Sequence, residues 1–203
     1  MTAATGYINE TADVASTATI SEGSKVWHYA QVREGAVLGE NCIIGRGAYI
    51  GTGVVLGDNC KVQNYALIYE PARLGHGVFI GPAVVLTNDH FPRAINDDGS
   101  PKSSDDWHPV GVEILEGASI GASSTCVAPI VIGRWALVGA GSVVVKDVPD
   151  FALVVGSPAR RVGWVGKAGH PLKKETSGLW ICPKTGARYH EVTSERLLEV
   201  TDT

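Results

Sequence analysis

A chain of 203 residues that is 44% apolar and carries a formal net charge of −4 fits one ordinary globular unit with a small tail. The mild acidity argues against nucleic acid as the main partner, and no apolar run approaches the ~18 residues a membrane helix needs. The opening MTAATGYINETADVAS has neither a basic start nor an apolar stretch, so no secretory signal is expected, and the cysteines read as reduced thiols of a cytoplasmic protein.

From Ile8 onward an aliphatic residue stands at every sixth position: Val14, Ile20, Val26, Val32, Leu38, Ile44, Ile50, Leu56, Val62, Ile68, Leu74, Ile80 and Leu86. Small residues precede most of them by two places, among them Ala30, Ala36, Cys42, Ala48, Cys60 and Ala66, and glycine often follows, as at Gly39, Gly45 and Gly51. A period of six fits neither an α-helix nor simple strand alternation. It is the signature of a parallel β-helix, in which each hexad is a short strand plus a corner and three hexads close one coil. The aliphatic and the small residue two places before it both face inward on a pleated strand, and the glycines are expected to ease the corners. Cys42 and Cys60, one coil apart, should stack inside the prism, and Cys126 occupies an aliphatic position; all three read as core.

The beat stops at LTNDHFPRA and returns at Ile114, 22 residues later than an in-phase continuation at position 92. It then runs through Ile120, Cys126, Ile132, Val138 and Val144. The twenty hexads predict between six and seven coils, about 30 Å tall at the ~4.8 Å strand spacing. The interruption carries polar chemistry and, at NDDGSP, a turn sequence, so it is expected to fold back on itself as a flap. A bare prism offers no cleft, and loops on a rigid scaffold commonly carry function.

Beyond Val144, prolines 149 and 158 mark where the ladder should end, and five of the seventeen Lys and Arg residues fall between Arg160 and Lys174, a composition suited to phosphates as well as to a solvated exit. Cys182, in WICPKTG, lacks the second cysteine pair a zinc knuckle requires, and CPKTG reads as a turn between two terminal strands. The expected organisation is a β-helix over residues 1–148 with a loop inserted at 88–111, followed by a C-terminal extension over 149–203.

The unbroken hexapeptides, the loop opening TNDHFPRA and the closing VVGSPARRVGW resemble the hexapeptide-repeat acyltransferases. More narrowly, VWHYAQV, KVQNYALIYE, FIGPAVVLTNDHFPRA and GWVGKAG resemble the branch that N-acetylates 3-amino sugars linked to UDP or dTDP. The resemblance covers nearly the whole chain. It implies an all-β, left-handed parallel β-helix, acetyl-CoA as cosubstrate, no metal, and a homotrimer with active sites between subunits; the left hand comes from the resemblance alone.

It also implies site residues. Asn88 is placed to hold the sugar amine, His90 suits a general base by its ordinary pKa, and Asp89 orients a histidine or binds a sugar hydroxyl. Arg93 is a candidate for the diphosphate or a neighbouring subunit, and His28, Asn64 and Tyr69 for the sugar-nucleotide groove. Trp107 and His108 are expected to seat the loop. Gly139, Ala140 and Gly141, with Arg160 and Arg161, are candidates for the coenzyme. No serine or cysteine is set with a histidine to form an acyl-enzyme, so direct transfer in a ternary complex is expected. The alternative is O-acetylation of a sugar or other small alcohol on the same scaffold. A hexapeptide-fold carbonic anhydrase is disfavoured: GHGVFIG offers His76, but Gly81 stands where a second histidine is required.

Overall fold

The computed structural model describes residues 6–200. Strands of two or three residues recur at each hexad and pair in parallel with the strand 18 residues away, as Lys61 does with Ile43 and Phe79. Three sheets result, one per face of a triangular prism, and the chain visits them in strict rotation. The architecture is a left-handed parallel β-helix. On the first face eight parallel strands stack from Tyr7–Ile8 to Ala152–Gly156.

The core is the predicted one. Val26, Leu38, Ile44, Ile50, Ile68 and their successors have no exposed surface, and neither do Ala30, Ala36, Cys42, Ala48, Cys60 and Ala66. At ~25 cal/mol per Å², burying each branched aliphatic contributes about 1.5–3 kcal/mol. The first coil is the exception: Ile8 remains 45% exposed, and Val14 and Ile20 are only partly buried.

The glycines that follow the aliphatics have a different reason from the expected one. Residues with left-handed φ stand three places after the aliphatic, as at Tyr29 (58°), Asn41 (57°), Gly47 (62°) and Tyr65 (60°). Gly45 and Gly51 are instead needed for close stacking. A Cβ at Gly45 would lie 2.7 Å from the Asn64 amide nitrogen, and one at Gly51 would lie 2.8 Å from that of Glu70.

The insertion leaves the prism undisturbed. Leu74 pairs with Ile114 and Leu86 with Cys126, so the coils close over the missing beat. The expected six to seven coils fall short because the rhythm continues beyond Val144 with two residues removed. Val148 bridges in parallel to Ile132 and Val154 pairs with Val138, each 16 residues away instead of 18. Asp147 closes the shortened corner by accepting the Val131 N–H at 2.8 Å. Pro149 therefore follows an inward residue of the prism and does not end it.

The strand Ala152–Gly156 then turns back on itself and pairs antiparallel with Ala159–Trp164. Residues 173–199 add a four-stranded antiparallel sheet. Its Tyr189, Leu197 and Cys182 are buried, as are Trp164 and Leu172, and the Tyr189 ring stands 5.3 Å from that of Phe151. The C-terminal end of the prism is thus sealed. Among the described residues no helix is long and apolar enough to cross a membrane.

Candidate active site

Because the corners stack coil on coil, each edge of the prism is a column of residues drawn from successive coils. The second edge, which follows the strands ending in Val32, Ile50, Ile68, Leu86, Cys126 and Val144, carries Glu34, Glu70, Asn88, Ala128 and Lys146 in ascending order. The inserted loop leaves from this edge. Thr87 and Val110 fasten its base: Thr87 Oγ1 accepts the Ala128 N–H at 3.0 Å, and the Val110 N–H donates to Asn88 O at 3.0 Å. Within the loop, Asn96 N–H donates to Ser100 O and Lys102 N–H to Ala94 O, which makes the expected fold-back around NDDGSP. A short 3₁₀ turn at Ser104–Asp106, boxed by Ser103, completes it, with Trp107 half-buried behind it and His108 exposed.

His90 is held against the scaffold. Its Nδ1 lies 3.3 Å from Ala128 O, and a carbonyl oxygen only accepts, so a hydrogen bond here requires the tautomer that carries its proton on Nδ1. In that tautomer the Nε2 lone pair faces outward on an exposed ring, which is what a general base requires. Phe91 packs edge-on against the imidazole at 4.2 Å. Asn88 is half-buried beside it, and its side-chain amide takes no hydrogen bond from the described residues. Asp89 is not aimed at the histidine: its Oδ1 accepts the Phe91 N–H at 2.9 Å and shapes the loop. Arg93 donates to Pro92 O at 2.8 Å and faces a loop cavity of about 430 Å³ shared with Asp97, Asp98 and Lys102. Tyr69 stands on the same edge one coil below Thr87, its ring 5.2 Å from that of Tyr49. Burial, and then the nearby Glu70 charge, push the Tyr49 hydroxyl pKa up.

Two coils above Asn88, the column reaches Lys146. With Arg160, Arg161, Val148, Pro149 and Glu195 it lines a cavity of about 230 Å³. The Arg161 guanidinium lies 4.1 Å over the Trp164 ring, which fixes it in place. A loop histidine and a basic cavity thus share one edge, about 10 Å apart at the ~4.8 Å coil spacing.

The remaining candidates lie elsewhere. His28 and Asn64 belong to the first edge, where they line a cleft of about 330 Å³ with Trp27, Arg46 and Gln63. Tyr29 and Tyr65 flank that edge, each 56% exposed, and Arg46 lies 5.1 Å over the Tyr29 ring. Asn64 Oδ1 accepts the Arg46 N–H at 2.9 Å, which orients its amide nitrogen as the free donor for a ligand. Gly139, Ala140 and Gly141 continue this first edge upward to the strand Ala152–Gly156: Gly139 N–H donates to Val154 O, and Val154 and Val155 pair with Arg161 and Arg160. Tyr69 does not join the His28 and Asn64 cleft. Among the described residues no cluster of three or more metal-ligating side chains occurs.

The sequence reading missed Lys146, the Thr87–Ala128 clamp and the Tyr49 partner of Tyr69. Counting hexads across the 22-residue insertion would have placed Ala128 above Asn88 and Lys146 above Ala128.

Known proteins agree with this architecture. The family described as bacterial transferase hexapeptide (six repeats) matches residues 17–52 and 53–88, and the hexapeptide repeat of succinyl-transferase matches 111–146; the inserted loop is what falls between them. A dTDP-3-amino-3,6-dideoxy-alpha-D-galactopyranose 3-N-acetyltransferase of Aneurinibacillus thermoaerophilus is 53% identical over 60 residues, 30% of this chain and 31% of that protein. A serine acetyltransferase of Haemophilus influenzae is 35% identical over 104 residues, 47% of this chain and 38% of that protein. The matches therefore span about a third of each curated relative. Among solved structures, a variant of AntD, an N-acyltransferase from Bacillus cereus in complex with dTDP-4-amino-4,6-dideoxyglucose and coenzyme A, superposes with a TM-score of 0.52 at 17% identity. That match covers 80% of this chain and 83% of AntD, and at that identity it speaks for the fold alone.

Proposed function

The chain belongs to the hexapeptide-repeat transferases, and on that premise we propose that it moves acetyl from acetyl-CoA to the amino group of a UDP- or dTDP-linked 3-amino-deoxy sugar. The observation that carries the reading is His90, whose Nδ1 lies 3.3 Å from Ala128 O and whose ring is otherwise exposed. The curated N-acetyltransferase match supports the choice of an amino sugar.

In this reaction the neutral amine attacks the thioester carbonyl and forms a tetrahedral intermediate. His90 Nε2 takes the proton that nitrogen must lose, and the imidazolium returns it to the departing thiolate, so free coenzyme A and an amide result without an acyl-enzyme. Asn88 orients the amine through its side-chain oxygen. Asp89 holds the turn that presents His90. The coenzyme lies along the second edge, phosphates among Lys146, Arg160 and Arg161, acetyl group toward His90. Arg93 meets the substrate diphosphate.

Tyr69 borders the sugar beside Asn88. The nucleoside belongs on the first edge, where Trp27, Tyr29 and Tyr65 offer stacking surfaces and His28 and Asn64 offer polar contacts. Gly139, Ala140 and Gly141 give the coenzyme backbone to lie against. On one prism the two edges are apart. A homotrimer, in which the second edge of one copy meets the first edge of the next, brings them together.

Thiol release from acetyl-CoA, measured against a panel of UDP- and dTDP-3-amino sugars, tests the reading. Turnover with one of them is expected, and His90→Gln should lower kcat about 100-fold or more. Full activity in that variant would remove His90 as the base. Silence across the panel, with turnover of sugar or amino-acid alcohols, would reassign the enzyme to O-acetylation.

A further inference from the structure

The basic cavity on the second edge is lined by two carboxylates, Asp147, which is committed to the Val131 N–H at the shortened corner, and Glu195, which the transfer chemistry does not use. Glu195 comes from the turn between strands Arg188–Thr193 and Arg196–Glu199 of the C-terminal sheet, yet it lines the same wall as Lys146, Arg160 and Arg161. We propose that Glu195 is a specificity-determining counter-charge, delivered by the tail, that weakens the site's hold on a multiply phosphorylated coenzyme. The proposal rests on the reading of this cavity as the acyl-CoA phosphate site.

Three observations carry it. First, none of Lys146, Arg160 and Arg161 forms an ion pair among the described residues, and Glu195 pairs with none of them within 4.0 Å. The positive charges therefore remain available to a ligand, and the negative charge faces that ligand unneutralised.

Second, Glu195 is not on a loose end. Its N–H donates to Thr193 Oγ1 at 3.2 Å. The tail sheet is tied to the exit segment by Lys167 paired with Glu199 at 2.6 Å and by the Trp164 indole, which donates to Glu191 at 3.2 Å. Third, the Arg161 guanidinium lies 4.1 Å over the Trp164 ring and Val148 bridges to Ile132, so one charge and one wall of the cavity are held by the scaffold.

A carboxylate several ångströms from a bound phosphate, in a partly solvated site, lowers anion affinity by roughly two- to tenfold at low salt. The penalty grows with the number of phosphate charges, so it falls harder on coenzyme A than on its dephosphorylated form.

Calorimetric titration of coenzyme A and dephospho-coenzyme A into the full chain, into Glu195→Gln, and into Glu175→Gln as a tail carboxylate outside the cavity, is the test. The expected result is a two- to tenfold tighter Kd for coenzyme A in Glu195→Gln and a smaller gain for dephospho-coenzyme A. Both gains should shrink as salt rises, and Glu175→Gln should not shift either Kd. Weaker binding in Glu195→Gln would make the carboxylate a ligand for the coenzyme, and an unchanged Kd would make it a bystander. Equal tightening in both variants would reduce the effect to net charge. Each of these overturns the proposal while leaving the cavity as the coenzyme site. No coenzyme binding by the unaltered chain would overturn both. Tight binding without turnover of any amino sugar would instead fault only the acceptor.

Discussion

At the level of single residues the prism repeats one small device. A polar side chain two places past the aliphatic reaches down to cap a backbone N–H of the coil below: Asp58 Oδ1 accepts from Glu40 N at 2.8 Å, Asn64 Oδ1 from Arg46 N at 2.9 Å, and Asp150 Oδ1 from Arg134 N. Glu70 holds the equivalent place over Gly51, but with one methylene too many: its Oε2 is buried with no hydrogen-bond partner. A buried carboxylate oxygen without a donor costs stability. Glu70→Asn, whose side chain has the length of Asn64, should cap the Thr52 N–H and raise stability by about 1 kcal/mol, read as a higher denaturant midpoint with an unchanged slope. A lower midpoint would show that the longer carboxylate is held by something the single chain does not supply.

The cysteines follow from the same stacking. Cys42 and Cys60 donate to Gly57 O and Gly75 O at 3.2 and 3.1 Å from inside the prism, and burial pushes the Cys126 thiol up to about 12. A thiolate is the reactive form, so a raised pKa leaves Cys126 protonated throughout the neutral range, and moving from pH 7 to pH 9 should not speed its modification. A thiol reagent should label Cys42, Cys60 and Cys126 only at the rate of unfolding. Fast labelling of any of the three in the native protein would contradict their enclosure.

Among the elements, the inserted loop is the one separable part. The ladder closes over it, with Leu86 opposite Cys126 and Val110 fastened to Asn88, so excising residues 89–110 restores the six-residue beat without touching a core position. The shortened chain should fold with its melting temperature within a few degrees of the original, bind coenzyme A, and transfer no acetyl group, since His90 leaves with the loop. Loss of folding would mean that the loop, not the ladder, closes that coil. This division also explains what could be read in advance. The fold was legible because one period governs every core position from Val26 to Val144. The exit was not, because two residues vanish at Lys146–Asp147 and the beat that continues through Val148 and Val154 no longer matches a count of six. The site was half legible: Asn88 and His90 interrupt a pattern, whereas the Ala128 carbonyl that faces His90 Nδ1 is an ordinary hexad residue 38 positions away, and only the stacked geometry brings the two together.

The molecule as a whole is a stack with unlike ends, and stacked repeats are stable mainly through their neighbours. At the C-terminal end the tail sheet buries Trp164, Tyr189 and Leu197 against the last coils, and Lys167 lies 5.8 Å over the Trp135 ring. At the other end Tyr7 is 48% and Ile8 45% exposed, and among the described residues the coil they begin pairs on one side only. Opening should therefore start at the N-terminal coil and travel upward. Native-state amide exchange should find the least protection at Asn9, Asp13, Ala15 and Thr19, whose N–H groups bond only to the next coil, and the most at central amides such as Ile43, Tyr49 and Lys61. Truncation after Gly166 should make Gly139, Gly133 and Phe151 exchange nearly as fast as the first coil, because it removes the cover from that end. Uniform protection before truncation, collapsing everywhere at once after it, would show instead that the prism opens as a single unit and that its ends carry no separate stability.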